Sequence, residues 1–332
     1  KMLDNVPLPL TLGHEFIGQI EEIGSEALSA KYSSANDKLL HKIPLKIGTR
    51  VTAEGHISHC DHHKACISCR NGLPHLCNSM SSIGITRAGA FADFVSVPIS
   101  NLITLPLPFQ TELLAKQRSG LSDGVDLLDW TDIGALLDPL GNALHSILAA
   151  GPVENKRVLI TGSGPVGIMS AIVCQELDAK QVVITDVNSE RIKLAQKCGI
   201  QDTVQVPNNR AFLEDFDFDV GLEMSGSGEG LQTLIEKLRS GGKLALLGIP
   251  SRKVEFDAAL VVTKGIQMQG IYGRQMYDTW NHMLTMLQNG LASRLVPLIT
   301  HRYPAENFQE GFQAMQSGKA GKVILQWVAS SS

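Results

Sequence analysis

The chain has 332 residues, of which 43% are hydrophobic and 19% are charged, and its formal net charge is −4. This length and composition predict a globular protein with two domains and a sizeable core. The small negative charge argues against general binding to nucleic acids or membrane surfaces, and no apolar run is long enough to span a bilayer.

The first 149 residues have the composition of a β-rich domain. Short strands separated by Gly and Pro are predicted at 17–23, 49–53 and 91–97. Two polar stretches, 25–46 and 110–129, show no clear period, and we expect both to be surface loops to which no function is assigned.

Strands alternate with helices from about residue 150 to residue 295. Strands are predicted at 157–161, 181–185, 217–223, 243–247 and 266–271, and helices at 165–177, 188–197 and 230–238. This alternation indicates an α/β fold, a doubly wound parallel sheet with helices on both faces. Residues 296–332 are predicted to form a strand, a helix and a strand that return to the first domain.

A glycine-rich turn joins the first strand of the α/β domain to its first helix. It reads Gly162-Ser-Gly164-Pro-Val-Gly167, and the strand before it and helix after it favour a dinucleotide site over an ordinary turn. The first glycine makes the tight turn, the second admits a pyrophosphate, and the third lets helix and strand pack closely.

Asp186 follows the next strand, nineteen residues beyond Gly167. A carboxylate there accepts hydrogen bonds from ribose hydroxyls and repels a 2′-phosphate, which favours NAD over NADP. The alternative role for Asp186 is a helix cap. Arg191 either flanks the adenine-ribose pocket or is a solvated helix charge, and the sequence does not choose between them.

Two later strand ends, Leu247-Gly248-Ile249 and Ile271-Tyr272, are also candidates for the cofactor site. The carboxyl ends of parallel strands line the cofactor crevice. Core packing is the alternative explanation for the apolar residues among them.

Four of the six cysteines fall within eighteen residues. Cys66, Cys69 and Cys77 have the spacing of a zinc knuckle, and Cys60 or His63 supplies the fourth ligand, with Cys60 preferred on chemistry. A closed site of four thiolates is structural, because it leaves no coordination position for a substrate.

His14 and Glu15 offer an imidazole and a carboxylate side by side on a turn that begins at Gly13. Asp138 precedes a helical run, where a carboxylate is usually an N-cap. Together the three suggest alcohol oxidation, in which zinc lowers the pKa of a hydroxyl and hydride passes to nicotinamide.

These motifs occur in the order seen in zinc-containing medium-chain dehydrogenases, which the chain resembles. More narrowly, it is similar to the threonine-oxidising branch of that family. The stretches that carry this similarity are Ala53-Glu-Gly-His56, residues 183–188, 218–226 and 247–250, Gly270-Ile-Tyr-Gly-Arg274, and residues 299–302 and 317–325.

The resemblance implies a GroES-like catalytic domain over 1–149, a Rossmann-type NAD-binding domain over 150–295, and a return to the catalytic domain over 296–332. The clustered free thiols favour a reducing interior, hence the cytoplasm. The resemblance implies oxidation of L-threonine to L-2-amino-3-oxobutanoate with NAD by a homotetramer. It also implies one structural zinc and one catalytic zinc, the latter held partly by His14 and Glu15, with Asp138 nearby in the proton path. NAD contacts are implied at Val166, Asp186, Arg191, Leu247 to Ile249, Ile271 and Tyr272.

The family pattern also includes a preceding segment with a cysteine ligand and a Thr/His pair, so we expect these 332 residues to bind NAD and one zinc but to oxidise threonine poorly. A segment of that kind would also carry any organelle address, such as a mitochondrial one. Two alternatives stay open: a polyol or other secondary-alcohol dehydrogenase of the same class, and a non-catalytic NAD-binding relative.

Overall fold

The computed structural model describes residues 8–25, 45–60, 66–106, 109, 130–208 and 217–327. The predicted loop at 110–129 and nearly all of the one at 25–46 lie outside these residues. Among the described residues, no helix is long and apolar enough to cross a membrane.

The strands are short in the first part of the chain and longer in the second. In chain order they are β1 Gly18–Gln19, β2 Arg50–Ala53, β3 His56–Ser58, β4 Met80–Ser82, β5 Leu102–Thr104, β6 Arg157–Thr161, β7 Gln181–Asp186, β8 Thr203–Gln205, β9 Phe218–Glu223, β10 Leu238–Leu246, β11 Gln267–Gly270, β12 Ile299–Pro304 and β13 Lys322–Gln326.

The helices lie mostly in the second part. They are α1 Ile67–Arg70, α2 Trp130–Gly134, α3 Leu137–Ala150, α4 Pro165–Glu176, α5 Ser189–Lys197, α6 Gly228–Lys237, α7 Ala258–Lys264, α8 Asp278–Met286, α9 Ala292–Leu295 and α10 Phe308–Gln316. Short 3-10 turns cover Pro74–Leu76, Ile99–Asn101, Val296–Leu298 and Ala305–Asn307, and a π turn covers Leu287–Leu291.

The described chain divides into two compact units. Unit 1 comprises the described parts of Lys1–Asp138, Gly273–Ala292 and Trp327–Ser332, and unit 2 comprises those of Pro139–Tyr272 and Ser293–Gln326. The sequence prediction placed 296–332 with the first domain, whereas contacts group most of that stretch with unit 2. The domain bounds 1–149, 150–295 and 296–332 stay a prediction.

Unit 2 contains a six-stranded parallel sheet in the order β11-β10-β9-β6-β7-β8. The strand order reverses between β6 and its neighbours β7 and β9, and ligands bind beyond the carboxyl ends of the strands at such a point. The predicted doubly wound α/β fold is confirmed.

The sheet forms because its strands can be buried on both faces. In β6, four of five residues are buried, and Leu159 packs in a cluster with Val183, Phe218 and Leu244. Burial of such side chains contributes about 1.5–3 kcal/mol each. Cys174 and Cys198 are also buried, as expected for core thiols.

Unit 1 is built from short antiparallel pairings. Its β1, β2 and β5 form one three-stranded sheet, and β3 pairs with β4. These pairings agree with the predicted β-rich domain. The first strand is shorter than predicted, since it covers only Gly18–Gln19 and not 17–23.

The prediction of a strand at 91–97 is wrong. These residues form no strand, although Val95 and Val97 pack against the buried cluster of Ala53, Ile57 and Ile83. Val95 and Val97 are partly buried and the residue between them is exposed, which produces the alternation in the sequence. Partial burial does not by itself provide a hydrogen-bonded partner strand.

Candidate functional site

Four cysteine thiols converge in unit 1. One sulfur from each of Cys60, Cys66, Cys69 and Cys77 lies within 4.8 Å of the others, and Cys60 Sγ is 3.4 Å from Cys77 Sγ. Thiolates on a tetrahedral zinc at about 2.3 Å stand about 3.8 Å apart, so these residues fit the ion. His63, the alternative fourth ligand, lies outside the described residues.

Local backbone structure aims these thiols at one point. The single turn of α1 presents Cys69, and the Cys66 amide donates to Cys60 Sγ at 3.4 Å. The backbone amides of Asn78 and Cys69 lower the pKa of Cys66 to about 6, which favours the thiolate that zinc requires. The Ser58 hydroxyl contacts Cys69 Sγ at 3.3 Å.

A second donor group combines His14, Glu15 and Asp138. One ligand atom of each lies within 4.8 Å of the other two, and all three residues are half-buried. An imidazole and two carboxylates are a donor set that zinc accepts, and three protein ligands leave a position open for substrate. These residues fit a catalytic metal.

The turn before His14 depends on close backbone packing. Gly13 has φ +93°, and a β-carbon there would lie 2.4 Å from Phe91 Cδ1. Its carbonyl accepts a hydrogen bond from Ala90 N at 2.8 Å. A larger residue at 13 would therefore displace the segment that carries His14 and Glu15.

Asp138 lies within the first turn of α3, not before the helix. Its Oδ1 accepts a hydrogen bond from Arg274 Nη1, and its backbone carbonyl accepts one from the same nitrogen at 3.3 Å. The carboxylate is thus tied to a buried guanidinium.

Arg274 is fully buried and also binds Glu54. Its Nε donates to Glu54 Oε2 at 2.9 Å and its Nη2 donates to Glu54 Oε1 at 2.7 Å. Trp280 Nε1 donates to Glu54 Oε2 at 3.0 Å. Burial alone would raise the pKa of Glu54, but the charge of Arg274 and the hydrogen bonds from His56 and Arg274 together outweigh burial and hold that pKa well below its usual range.

In unit 2, the three glycines of the predicted dinucleotide turn stand in different surroundings. Gly162 has φ +95°, and a β-carbon at Gly167 would lie 1.9 Å from the Gly162 carbonyl oxygen. A β-carbon at Gly164 would have no atom within 4 Å. Gly164 is the N-cap of α4, with no side-chain capping bond, so the amides of this helix start face the open space beside it.

Asp186 ends β7 and is nearly buried. Its Oδ2 accepts from Ser163 N at 2.7 Å and its Oδ1 accepts from Asn188 N at 2.8 Å. Asn188, not Asp186, caps α5. Arg191 Nη1 lies 3.8 Å from Asp186 Oδ2, with 42% of its side chain exposed, so the structure places both residues together.

The remaining predicted cofactor residues lie in the same unit. Val166 is in the first turn of α4, residues 247–249 follow β10, and Ile271 and Tyr272 follow β11. Ile271 is buried, whereas 76% of Ile249 is exposed. The strand ends of a parallel sheet share one edge, so these residues lie along the edge where the glycine turn begins.

Sequence reasoning assigned no role to Glu223, a buried carboxylate at the end of β9. Its Oε1 accepts from Ser225 N at 2.9 Å and Gly226 N at 3.1 Å, and its carbonyl accepts from Leu247 N at 3.0 Å. It therefore fixes two of the loops at the sheet edge. Like Glu54 and Arg274, Glu223 lies in one of the stretches that resemble the dehydrogenase family.

Two described families match the chain. Residues 1–107 match the alcohol dehydrogenase GroES-like domain, and residues 165–289 match the zinc-binding dehydrogenase family. An L-threonine 3-dehydrogenase of Pseudoalteromonas atlantica is 41% identical over 330 residues, covering 98% of this chain and 85% of that protein.

Solved structures share the fold. An alcohol dehydrogenase of Escherichia coli CFT073, determined with NADH, has a TM-score of 0.77 and 20% identity, over 97% of this chain and 85% of that one. The L-idonate 5-dehydrogenase of Escherichia coli has a TM-score of 0.75 and 23% identity, over 96% and 82%.

Proposed function

The chain belongs to the zinc-binding alcohol dehydrogenases and, within them, to the L-threonine 3-dehydrogenase family, and from this premise we propose that it oxidises L-threonine to L-2-amino-3-oxobutanoate with NAD. The observation that carries the proposal is the 41% identity to the Pseudoalteromonas relative over nearly the whole chain. The donor group of His14, Glu15 and Asp138 gives that similarity a chemical centre.

The metal that fits His14 and Glu15 would supply Lewis acidity, lowering the pKa of a substrate hydroxyl. Asp138 lies beside both ligands and would accept or pass on the hydroxyl proton, because a carboxylate within reach is a competent base. The four cysteines have no such task, since a closed thiolate site braces the chain.

The residues that would bind NAD share the edge of one sheet. Gly162, Gly164, Val166 and Gly167 would receive the pyrophosphate at the start of α4. Asp186 would bind the ribose hydroxyls and disfavour a 2′-phosphate, with Arg191 beside it. NAD held by these residues would supply the hydride acceptor for the oxidation.

The substrate assay compares L-threonine with sorbitol and 2,3-butanediol, following formation of NADH. We expect kcat/KM for threonine to exceed that for either by about 100-fold or more, because polar substrate groups are recognised by matched polar partners. Because the chain spans 85% of the Pseudoalteromonas relative, residues 1–332 and the product of the whole reading frame would both be assayed. Preference for sorbitol or butanediol would contradict the substrate.

Zinc counting tests the enzymatic assignment separately. Two zinc ions per chain in the product of the whole reading frame would support an enzyme. One zinc ion per chain, together with NAD binding and no turnover, would indicate a non-catalytic relative.

We also propose a homotetramer in the cytoplasm. Family resemblance supports the tetramer, and sedimentation would give four times the 35.8 kDa chain mass. The unpaired thiols of the cysteine group support a reducing compartment. Cell fractionation would distinguish the cytoplasm from an organelle.

A further inference from the structure

A chain of buried charges leads from Glu54 to the predicted catalytic group. Arg274 makes four hydrogen bonds, two to the Glu54 carboxylate and two to Asp138. The side chains of Arg274 and Glu54 are both fully buried, and that of Asp138 is 12% exposed. A buried Arg that reaches two carboxylates holds both in fixed directions, because its guanidinium is planar.

Gly55 shows how close this network comes to His14. A β-carbon at Gly55 would lie 3.8 Å from Arg274 Nη2, 4.0 Å from Asp138 Oδ1 and 4.0 Å from His14 Cβ. The guanidinium, the Asp138 carboxylate and the His14 side chain therefore converge around one backbone position. The network borders the metal-ligating candidates directly.

Arg274 is itself firmly held. Its guanidinium carbon lies 5.3 Å from the centre of the Trp280 ring, and the same Trp donates to Glu54. Glu54 is further fixed by His56, whose backbone amide donates to Oε1 at 3.1 Å. Arg274 therefore has little freedom to move, and neither does the Asp138 oxygen that it binds.

We propose that Arg274 is a positioning residue for the metal group: it fixes the Asp138 carboxylate toward His14 and Glu15, and Glu54 fixes Arg274. The inference rests on the proposed function, since it takes the metal to bind at His14 and Glu15 with Asp138 beside it. Ligands oriented by outer partners bind metal more tightly than ligands that must be ordered on binding.

The test measures zinc affinity of the product of the whole reading frame by competition with a chelating dye. We expect Arg274→Met to bind the weaker of the two zinc ions at least about 10-fold less tightly than the wild-type protein does. Arg274→Lys keeps the charge but loses the planar fork, so we expect an intermediate loss. The matched control is Arg239→Met, which removes an Arg–carboxylate pair to Asp219 in unit 2 and should leave this affinity unchanged.

A double-mutant cycle separates positioning from general stability. With Asp138→Asn as background, Arg274→Met should change zinc affinity by less than about 2-fold, because the group through which it acts is already lost. Full additivity of the two losses, or unchanged affinity in Arg274→Met alone, would overturn the proposal. If Arg274→Met does not fold, Arg274→Lys and Glu54→Gln decide, since the first keeps the positive charge and the second keeps the side-chain shape.

The positioning role and the proposed function can be contradicted independently, because one is tested by zinc affinity and the other by threonine turnover. If the wild-type product of the whole reading frame does not oxidise threonine but its zinc affinity depends on Arg274 through Asp138, the proposed function fails and the positioning role stands. If threonine is oxidised and the zinc affinity does not depend on Arg274, the proposed function stands and the positioning role fails.

Discussion

At the scale of single residues, two glycines of one turn meet different physical demands. Gly167 packs against the carbonyl of Gly162, so the space for any side chain is already filled by backbone. Gly164 has open space beside it, in the direction from which a phosphate would approach the helix start. The same residue type thus serves packing at one position and, in the proposed NAD site, would leave access for a ligand at the other.

Substituting these glycines should separate stability from affinity. We expect Gly167→Ala to lower the free energy of unfolding by about 2–3 kcal/mol, because overpacking forces the backbone to shift. Gly164→Ala should leave that free energy within about 0.5 kcal/mol and weaken NAD binding about 10-fold by placing a methyl group where the pyrophosphate approaches. Denaturant unfolding and a fluorescence titration with NADH measure the two effects. A stable Gly167→Ala would show that the turn can relax.

At the scale of elements, β12 and β13 form a parallel pair that holds a lysine in an unfavourable place. Lys322 begins β13, and burial lowers its pKa to about 8 from 10.5. A base with a depressed pKa opposes folding while it is protonated, because the folded state must carry its charge out of water. Its effect on stability therefore depends on pH.

We expect Lys322→Met to raise the free energy of unfolding at pH 7 by about 2–3 kcal/mol. In the wild-type protein the folded state releases this proton near pH 8 and the unfolded state near 10.5, so stability from this group rises between those values. The gain in free energy of unfolding from Lys322→Met should therefore vanish by about pH 10.5. Lys319→Met, at an exposed position of the same stretch, is the control, and denaturant titrations across this range measure both. A pH-independent gain would rule out the charge as its cause.

At the scale of the whole molecule, each unit has its own means of stabilisation. Unit 2 has a parallel sheet whose strands are buried on both faces. Unit 1 has short strands, and its cysteine group joins β3, α1 and the turn at Pro74–Leu76. A structural zinc compensates for limited core because ligation free energy becomes folding free energy.

Zinc removal should therefore loosen one region selectively. After a strong chelator strips the metal, we expect the amides of residues 56–60 and 66–82 to exchange with deuterium at least about 10-fold faster, while β6, β7 and β9 keep their protection. Cys69→Ser should reproduce the effect without a chelator, and Cys198→Ser, outside the cluster, should not. Equal acceleration in both regions would show that the metal stabilises more than the knuckle.

The sequence by itself determined the features that depend on residues close together in the chain. The spacing of Cys66, Cys69 and Cys77, the glycine turn at 162–167 and the alternation of strands and helices all follow from local geometry, and the structure shows each of them in place. Only the tertiary structure decided which distant groups meet. Glu54 and Arg274 are 220 residues apart, and neither carries a local pattern that distinguishes a buried ion pair from two surface charges. Likewise, Val95 and Val97 alternate like strand residues, yet a strand needs hydrogen-bonding partners that only the folded chain supplies.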